Sequence, residues 1–101
     1  MRFLMKITVP HEPFNALVRN GSVGKKMQDI LSEEKPEAAY FTEIHGKRTA
    51  MLIVNIDHTS QIPAFAEPWF LAFNADVEFH AVMLGEDLAN AGLEALGKKW
   101  G

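Results

Sequence analysis

Six residues of this 101-residue chain are of types that move protons or hold polar ligands: Lys6, Tyr40, Thr42, Asn55, Glu78 and His80. A histidine beside a carboxylate holds a proton near neutral pH and can serve as general acid or base. A nearby lysine can stabilise a developing oxyanion. His80, Lys6 and Glu78 are therefore the candidate catalytic residues. Tyr40, Thr42, Asn55 and the aromatic Trp69 are the candidate ligand contacts. The plainer role for the polar six is a satisfied network inside an interface, which fixes register without chemistry. All six fall in segments of period-two alternation, so the strands that carry them decide whether they meet.

Other motifs point less far. Gly21-Ser-Val-Gly-Lys-Lys26 looks like a phosphate loop, but the pattern needs glycine where Arg19 stands and Ser or Thr where Lys26 stands. A capped helix start explains it better. Glu43, His45 and Arg48 gather near a hairpin tip, where such residues are usually a solvated cross-strand charge pair. Trp69, Phe70 and Phe73 could wall an aromatic pocket, although aromatic residues at helical spacing are more often core. Four histidines (His11, His45, His58, His80) lack the spacing of a ligand set, so neither a metal nor a cofactor is expected.

The elements follow from hydrophobic periodicity. Arg2 to Val9 puts Phe3, Met5, Ile7 and Val9 on one side and Leu4, Lys6 and Thr8 on the other, which predicts a strand. Residues 11 to 34 form one kinked helix or two. Phe14, Leu17 and Val18 fit a first turn or two, and Ser22 is the expected N-cap of a stretch carrying Val23, Met27, Ile30 and Leu31. That helix stops near Glu34, before Pro36. Ala38–His45 and Arg48–Ile56 predict a hairpin turning at Gly46-Lys47, with glycine at the first central position of a type II′ turn. Residue pairs summing to 93 then face each other. Ile62, Phe65, Ala66, Trp69 and Phe73 predict a helix that Pro68 should kink or split. Val77 to Leu84 alternates as a last strand. A terminal helix from about Glu86 to Lys99 has acidic residues in its first turn and lysines in its last, as the macrodipole prefers.

Composition bounds the function. Hydrophobic residues make up 48% and charged residues 23%, which suits one soluble folded domain over residues 1–101. A net charge of −3 argues against a nucleic-acid footprint. No apolar run is long enough for a membrane span. The absence of cysteine removes disulfide, thiolate and zinc-thiolate chemistry and favours a cytoplasmic setting. The N-terminal segment lacks the pattern of a signal peptide.

The element order implies an α+β, ferredoxin-like β-α-β-β-α-β sandwich with a C-terminal helix. With the middle pair a hairpin, strands one and three can be parallel only through right-handed crossovers. Both main helices cover one sheet face. The other face collects Leu4, Lys6, Thr8, Tyr40, Thr42, Ile44, Met51, Ile53, Asn55, Glu78, His80 and Val82. It is too apolar to be left in water and too polar for a dry core. A second copy laid across it, forming a two-fold homodimer, would bury the apolar part and pair the polar part.

Lys35 to Glu43 (KPEAAYFTE), Ser60 to Met83 (SQIPAFAEPWFLAFNADVEFHAVM) and the run from Gly21 resemble a group of small uncharacterised bacterial proteins. The layout resembles the dimeric α/β-barrel superfamily, in which two ferredoxin-like chains pair sheet to sheet. That resemblance implies a cavity and a homodimer. It embraces cofactor-free monooxygenases, haem-degrading enzymes, muconolactone isomerases and plain binding proteins, and fold does not choose among them. The expectation is a small homodimeric protein that binds a small hydrophobic or aromatic ligand or serves a structural role. The alternatives are a cofactor-free monooxygenase- or isomerase-like enzyme with a pocket around His80 and Lys6, and a protein-docking module.

Overall fold

A computed structural model describes all residues, 1–101. Strand β1 (Arg2–Val9) is followed by helices α1 (His11–Arg19) and α2 (Val23–Glu34). The hairpin strands β2 (Ala38–Ile44) and β3 (Lys47–Asn55) come next, then a 3-10 turn (Thr59–Gln61) and helix α3 (Ile62–Phe73). Strand β4 (Asp76–Ala81) and two short helices, α4 (Gly85–Ala89) and α5 (Leu93–Trp100), complete the chain. The four strands form one antiparallel sheet in the order β2-β3-β1-β4, compatible with a ferredoxin-like fold. β1 and β3 are antiparallel neighbours; the parallel relation is between β1 and β2, each antiparallel to β3.

The strand phase is as the alternation predicts. Met5, Ile7 and Val9 lie beside Ala50, Leu52, Val54 and Ile56, and all seven are buried under the helices. Helices α1 and α2 contribute Phe14, Leu17, Met27, Ile30 and Leu31 to this core, and α3 contributes Phe65, Trp69 and Phe73. Removing that apolar surface from water is the main force holding the layers together, at roughly 25 cal/mol per Å².

Four local expectations are corrected. The hairpin turns at His45-Gly46, one residue earlier than predicted, so Ile44 pairs with Lys47 and facing residues sum to 91. His45 (φ 55°) and Gly46 (φ 76°) both take positive φ, the signature of a type I′ turn, whose twist suits a two-residue hairpin. The slip moves partners by a whole two-residue repeat, so every side chain keeps its predicted face.

Pro68 does not split α3, which runs unbroken from Ile62 to Phe73. A proline there forfeits only one backbone bond, and the buried Ala66, Trp69 and Phe73 hold the helix on the sheet. Ser22 precedes α2 but makes no side-chain cap; its backbone N–H and hydroxyl both donate to Asn20 Oδ1, at 2.9 and 2.6 Å. The predicted terminal helix is two helices, separated where Gly92 takes φ 75°.

Strand β2 departs most from the layered picture. Ala39 and Phe41 occupy its helix-facing side, yet both are exposed, because α1 to α3 sit over β1, β3 and β4 and leave this edge strand uncovered.

Candidate functional site

The sheet brings three of the predicted residues together. Lys6 pairs in register with Glu78, and Leu4 with His80, so β1 and β4 present Lys6, Glu78 and His80 side by side on the face away from the helices. Glu78 lies between the other two: Oε2 is 3.9 Å from Lys6 Nζ, and Oε1 is 3.3 Å from His80 Nε2. His80 and Glu78 are exposed, and Lys6 is half-buried. Neither of the two cavities in the molecule is lined by any of the three. As it stands this is a polar cluster on the open sheet face, and such exposed pairs add little stability.

The remaining predicted residues are dispersed. Tyr40 shares the open face but stands on β2, across the sheet from β4, and its ring is largely exposed. Asn55, at the end of β3, accepts a 2.7 Å hydrogen bond from the α-amino group of Met1. Trp69 lies on the helical side, fully buried, so the whole sheet separates it from Lys6 and His80. The joint pocket of His80, Lys6 and Trp69 does not form.

A different cavity does form, between the helices and the hairpin half of the sheet. It has a volume of about 190 Å³, and its apolar walls come from Val9, Phe14, Met27, Phe41, Ala50 and Trp69. Thr42, Thr49 and Arg48 complete its lining. Two predicted residues, Trp69 and Thr42, therefore line it. Phe41 stands at its rim, 56% exposed.

Arg48 is not the solvated cross-strand partner of Glu43 that the hairpin predicts. It pairs in register with Glu43, but Glu43 Oε2 instead accepts the Gly46 N–H at 2.8 Å, which helps close the turn. Arg48 reaches under the hairpin. Its Nη1 donates to Asn15 Oδ1 at 2.8 Å, and its guanidinium lies 4.4 Å from the centroid of the Phe14 ring. Stacking on an aromatic face and a single neutral partner hold the cation in place while leaving its charge without a counter-ion. The sequence offered one signal for this: Arg48 continues the apolar, helix-facing parity of Ala50, Leu52 and Val54.

The second missed residue is Glu34, at the end of α2. Although ionisable, it is 8% exposed, and its Oε1 accepts a 2.9 Å hydrogen bond from Trp69 Nε1. Its Oε2 has no protein partner. Burial raises its pKa to about 7 from the ordinary 4.5, and the indole hydrogen bond opposes that rise. Glu34 thus sits behind the indole that walls the cavity, and it does not line the cavity itself.

No group of three or more His, Asp or Glu side chains is placed to hold a metal ion, and no helix is long and apolar enough to cross a membrane. Compared with known proteins, the chain matches no family model, and no curated protein matches it.

Proposed function

We propose that the protein binds a small aromatic or apolar acid in the cavity between its helices and its hairpin. The observation that carries this reading is the pairing of an apolar cleft with one cation that lacks a counter-ion, Arg48. A dry apolar cavity of ~150 Å³ is enough to take up a benzene ring, so about 190 Å³ suits one six-membered ring bearing a short polar group. Arginine presents paired N–H donors to a carboxylate, and Arg48 is the one charged side chain in the lining of the cleft.

The test is calorimetric titration with benzoate and with benzyl alcohol, equal in ring and different in charge. Benzoate is expected to bind the wild type more tightly. Arg48→Gln should weaken benzoate by about 10-fold or more and leave the alcohol nearly unchanged. Equal affinity for the two ligands, or no heat from either at millimolar concentration, would remove the reading.

The working unit in this proposal is a homodimer joined through the open sheet face, as the resemblance to the dimeric α/β-barrel superfamily implies. Support comes from the face itself: Leu4, Met51 and Ile53 form a half-buried apolar strip across β1 and β3, flanked by Lys6, Glu78 and His80. Packed against a twin, the strip would become dry core and the three polar residues its register pins. Ile53→Asp is expected to convert the dimer to monomer in sedimentation velocity, because it would bury an unpaired charge at the centre of the interface. A variant that sediments as the wild type would rule this face out.

A further inference from the structure

The C-terminal arm does not pack against the body of its own chain. Every residue from Met83 to Gly101 is exposed, and the molecule measures 60 × 29 × 19 Å. Its radius of gyration is 17.1 Å, against about 13 Å for a compact chain of this length. The accessible surface is 6946 Å², whereas the scaling for monomeric proteins gives roughly 5,700 Å² at this mass, an excess of about 1,200 Å².

The arm is nonetheless built to bury something. Leu93, Leu96 and Trp100 recur at i, i+3 and i+7, one stripe on α5, and Trp100 is 76% exposed. Leu84 and Leu88 form a shorter pair at α4.

We infer that this arm grips a second copy of the chain, laying the α5 stripe on the helix-facing side of the twin's β2 at Phe41. Donor and acceptor are both present in one chain: an apolar stripe without cover, and the strand whose helix-facing Ala39 and Phe41 stay exposed. The excess surface exceeds the ~800 Å² that each partner buries in a standard interface, so two reciprocal arms supply the area a stable dimer needs.

Geometry favours the twin as the occupant. In the order β2-β3-β1-β4, the arm leaves from one edge of the sheet and Phe41 lies at the other. A two-fold axis running along the strands, between two facing sheets, sets β4 of one copy opposite β2 of its twin. The thirteen helical residues of α4 and α5 span roughly 20 Å, and facing sheets lie about 10 Å apart, so the arm crosses that gap with about 10 Å left to pass the edge of the twin's β2. Charge disfavours an anionic membrane as the occupant, since Glu86, Asp87 and Glu94 outnumber Lys98 and Lys99 on the arm.

The inference extends the twin pairing proposed above, and its test reads the arm separately. The chain has no cysteine, so introduced thiols are unambiguous. Full-length Phe41→Cys chains are mixed with size-tagged full-length Leu96→Cys chains and oxidised. A mixed-size disulfide is expected to predominate over both same-size products. The double variant Phe41→Cys/Leu96→Cys should give linked dimers. An intramolecular disulfide in a chain of single mass would place the arm on its own body and overturn the inference.

Independently, Leu93→Glu/Leu96→Glu should raise the dimer dissociation constant on the order of 100-fold or more with an unchanged circular dichroism spectrum, since each interface loses the pair twice. A dimer as tight as the wild type would overturn the inference, as would a wild type that is monomeric and co-sediments with anionic vesicles. Loss of the dimer in Ile53→Asp with no mixed disulfide between the cysteine variants would leave sheet pairing standing and the arm refuted. A mixed disulfide with Ile53→Asp still dimeric would give the reverse.

Discussion

Trp69→Ala is expected to leave the chain largely unfolded at 37 °C. Trp69 is fully buried on α3, its ring centroid 5.8 Å from that of Phe73, and it forms both a wall of the cavity and the sole hydrogen-bond partner of the Glu34 carboxyl. Truncating a buried aromatic to alanine costs about 3–5 kcal/mol. Leaving the Glu34 carboxyl buried with neither oxygen paired adds about 1–3 kcal/mol. Domains of this size hold roughly 5–15 kcal/mol in total. Only 14 of the 101 residues are buried, which places this chain toward the low end.

Urea titration followed by circular dichroism measures the loss directly. Trp69→Phe separates the two contributions: it keeps most of the ring volume and removes the indole N–H, so it should cost about 1–3 kcal/mol. A Trp69→Ala midpoint close to that of the wild type would mean that the indole carries no core.

Trp69 is legible in the sequence. Trp69 sits on a strong apolar stripe with Ile62, Phe65, Ala66 and Phe73, and helical periodicity is a local property that short sequence separations reveal. The strand faces were legible for the same reason: the alternation of Phe3, Met5, Ile7 and Val9 fixes which side is buried before any partner is known. Even the misplaced turn left the faces intact, because the slip was a full two-residue repeat.

The misses are tertiary. Whether Arg48 pairs across the hairpin with Glu43 or bends toward Phe14 and Asn15 depends on α1 lying over that end of the sheet, some 33 residues away in sequence from Asn15. That β2 would be left uncovered depends on where three helices run out of width. The independence of the arm depends on whether any surface of the same chain is left to receive it.

Glu34 is the exception, since a usable signal was present. Met27, Ile30, Leu31 and Glu34 are at i, i+3, i+4 and i+7, so the carboxylate continues the buried stripe of α2. Glu33, Glu34, Lys35 and Glu37 also make one polar run around Pro36, which ends the helix without saying which of its carboxylates turns inward.

That inward turn should make the protein more stable in mild acid than above neutrality. In the unfolded chain the Glu34 carboxyl titrates near its ordinary 4.5, and in the folded chain near 7, because burial disfavours its charged form. Below about pH 4.5 both states hold the proton and nothing is lost. Between 4.5 and 7 the unfolded state releases the proton while the folded state keeps it, so stability falls as pH rises. Above 7 both states are ionised, and the loss has reached its full value, on the order of 2–3 kcal/mol.

Glu34→Gln retains the shape and an oxygen for the Trp69 N–H, and it cannot ionise. The variant should match the wild type near pH 4.5 and exceed it at pH 8 by about 2 kcal/mol. For a domain of this length that corresponds to a rise in Tm of roughly 8–16 °C. Urea titrations of both proteins at pH 4.5, 6 and 8 give the difference, in which every other titrating group is common to the two. A difference that stays constant across that range would show that the Glu34 carboxyl keeps its ordinary pKa in the fold. The charge would then have found water or a partner that its 8% exposure does not provide.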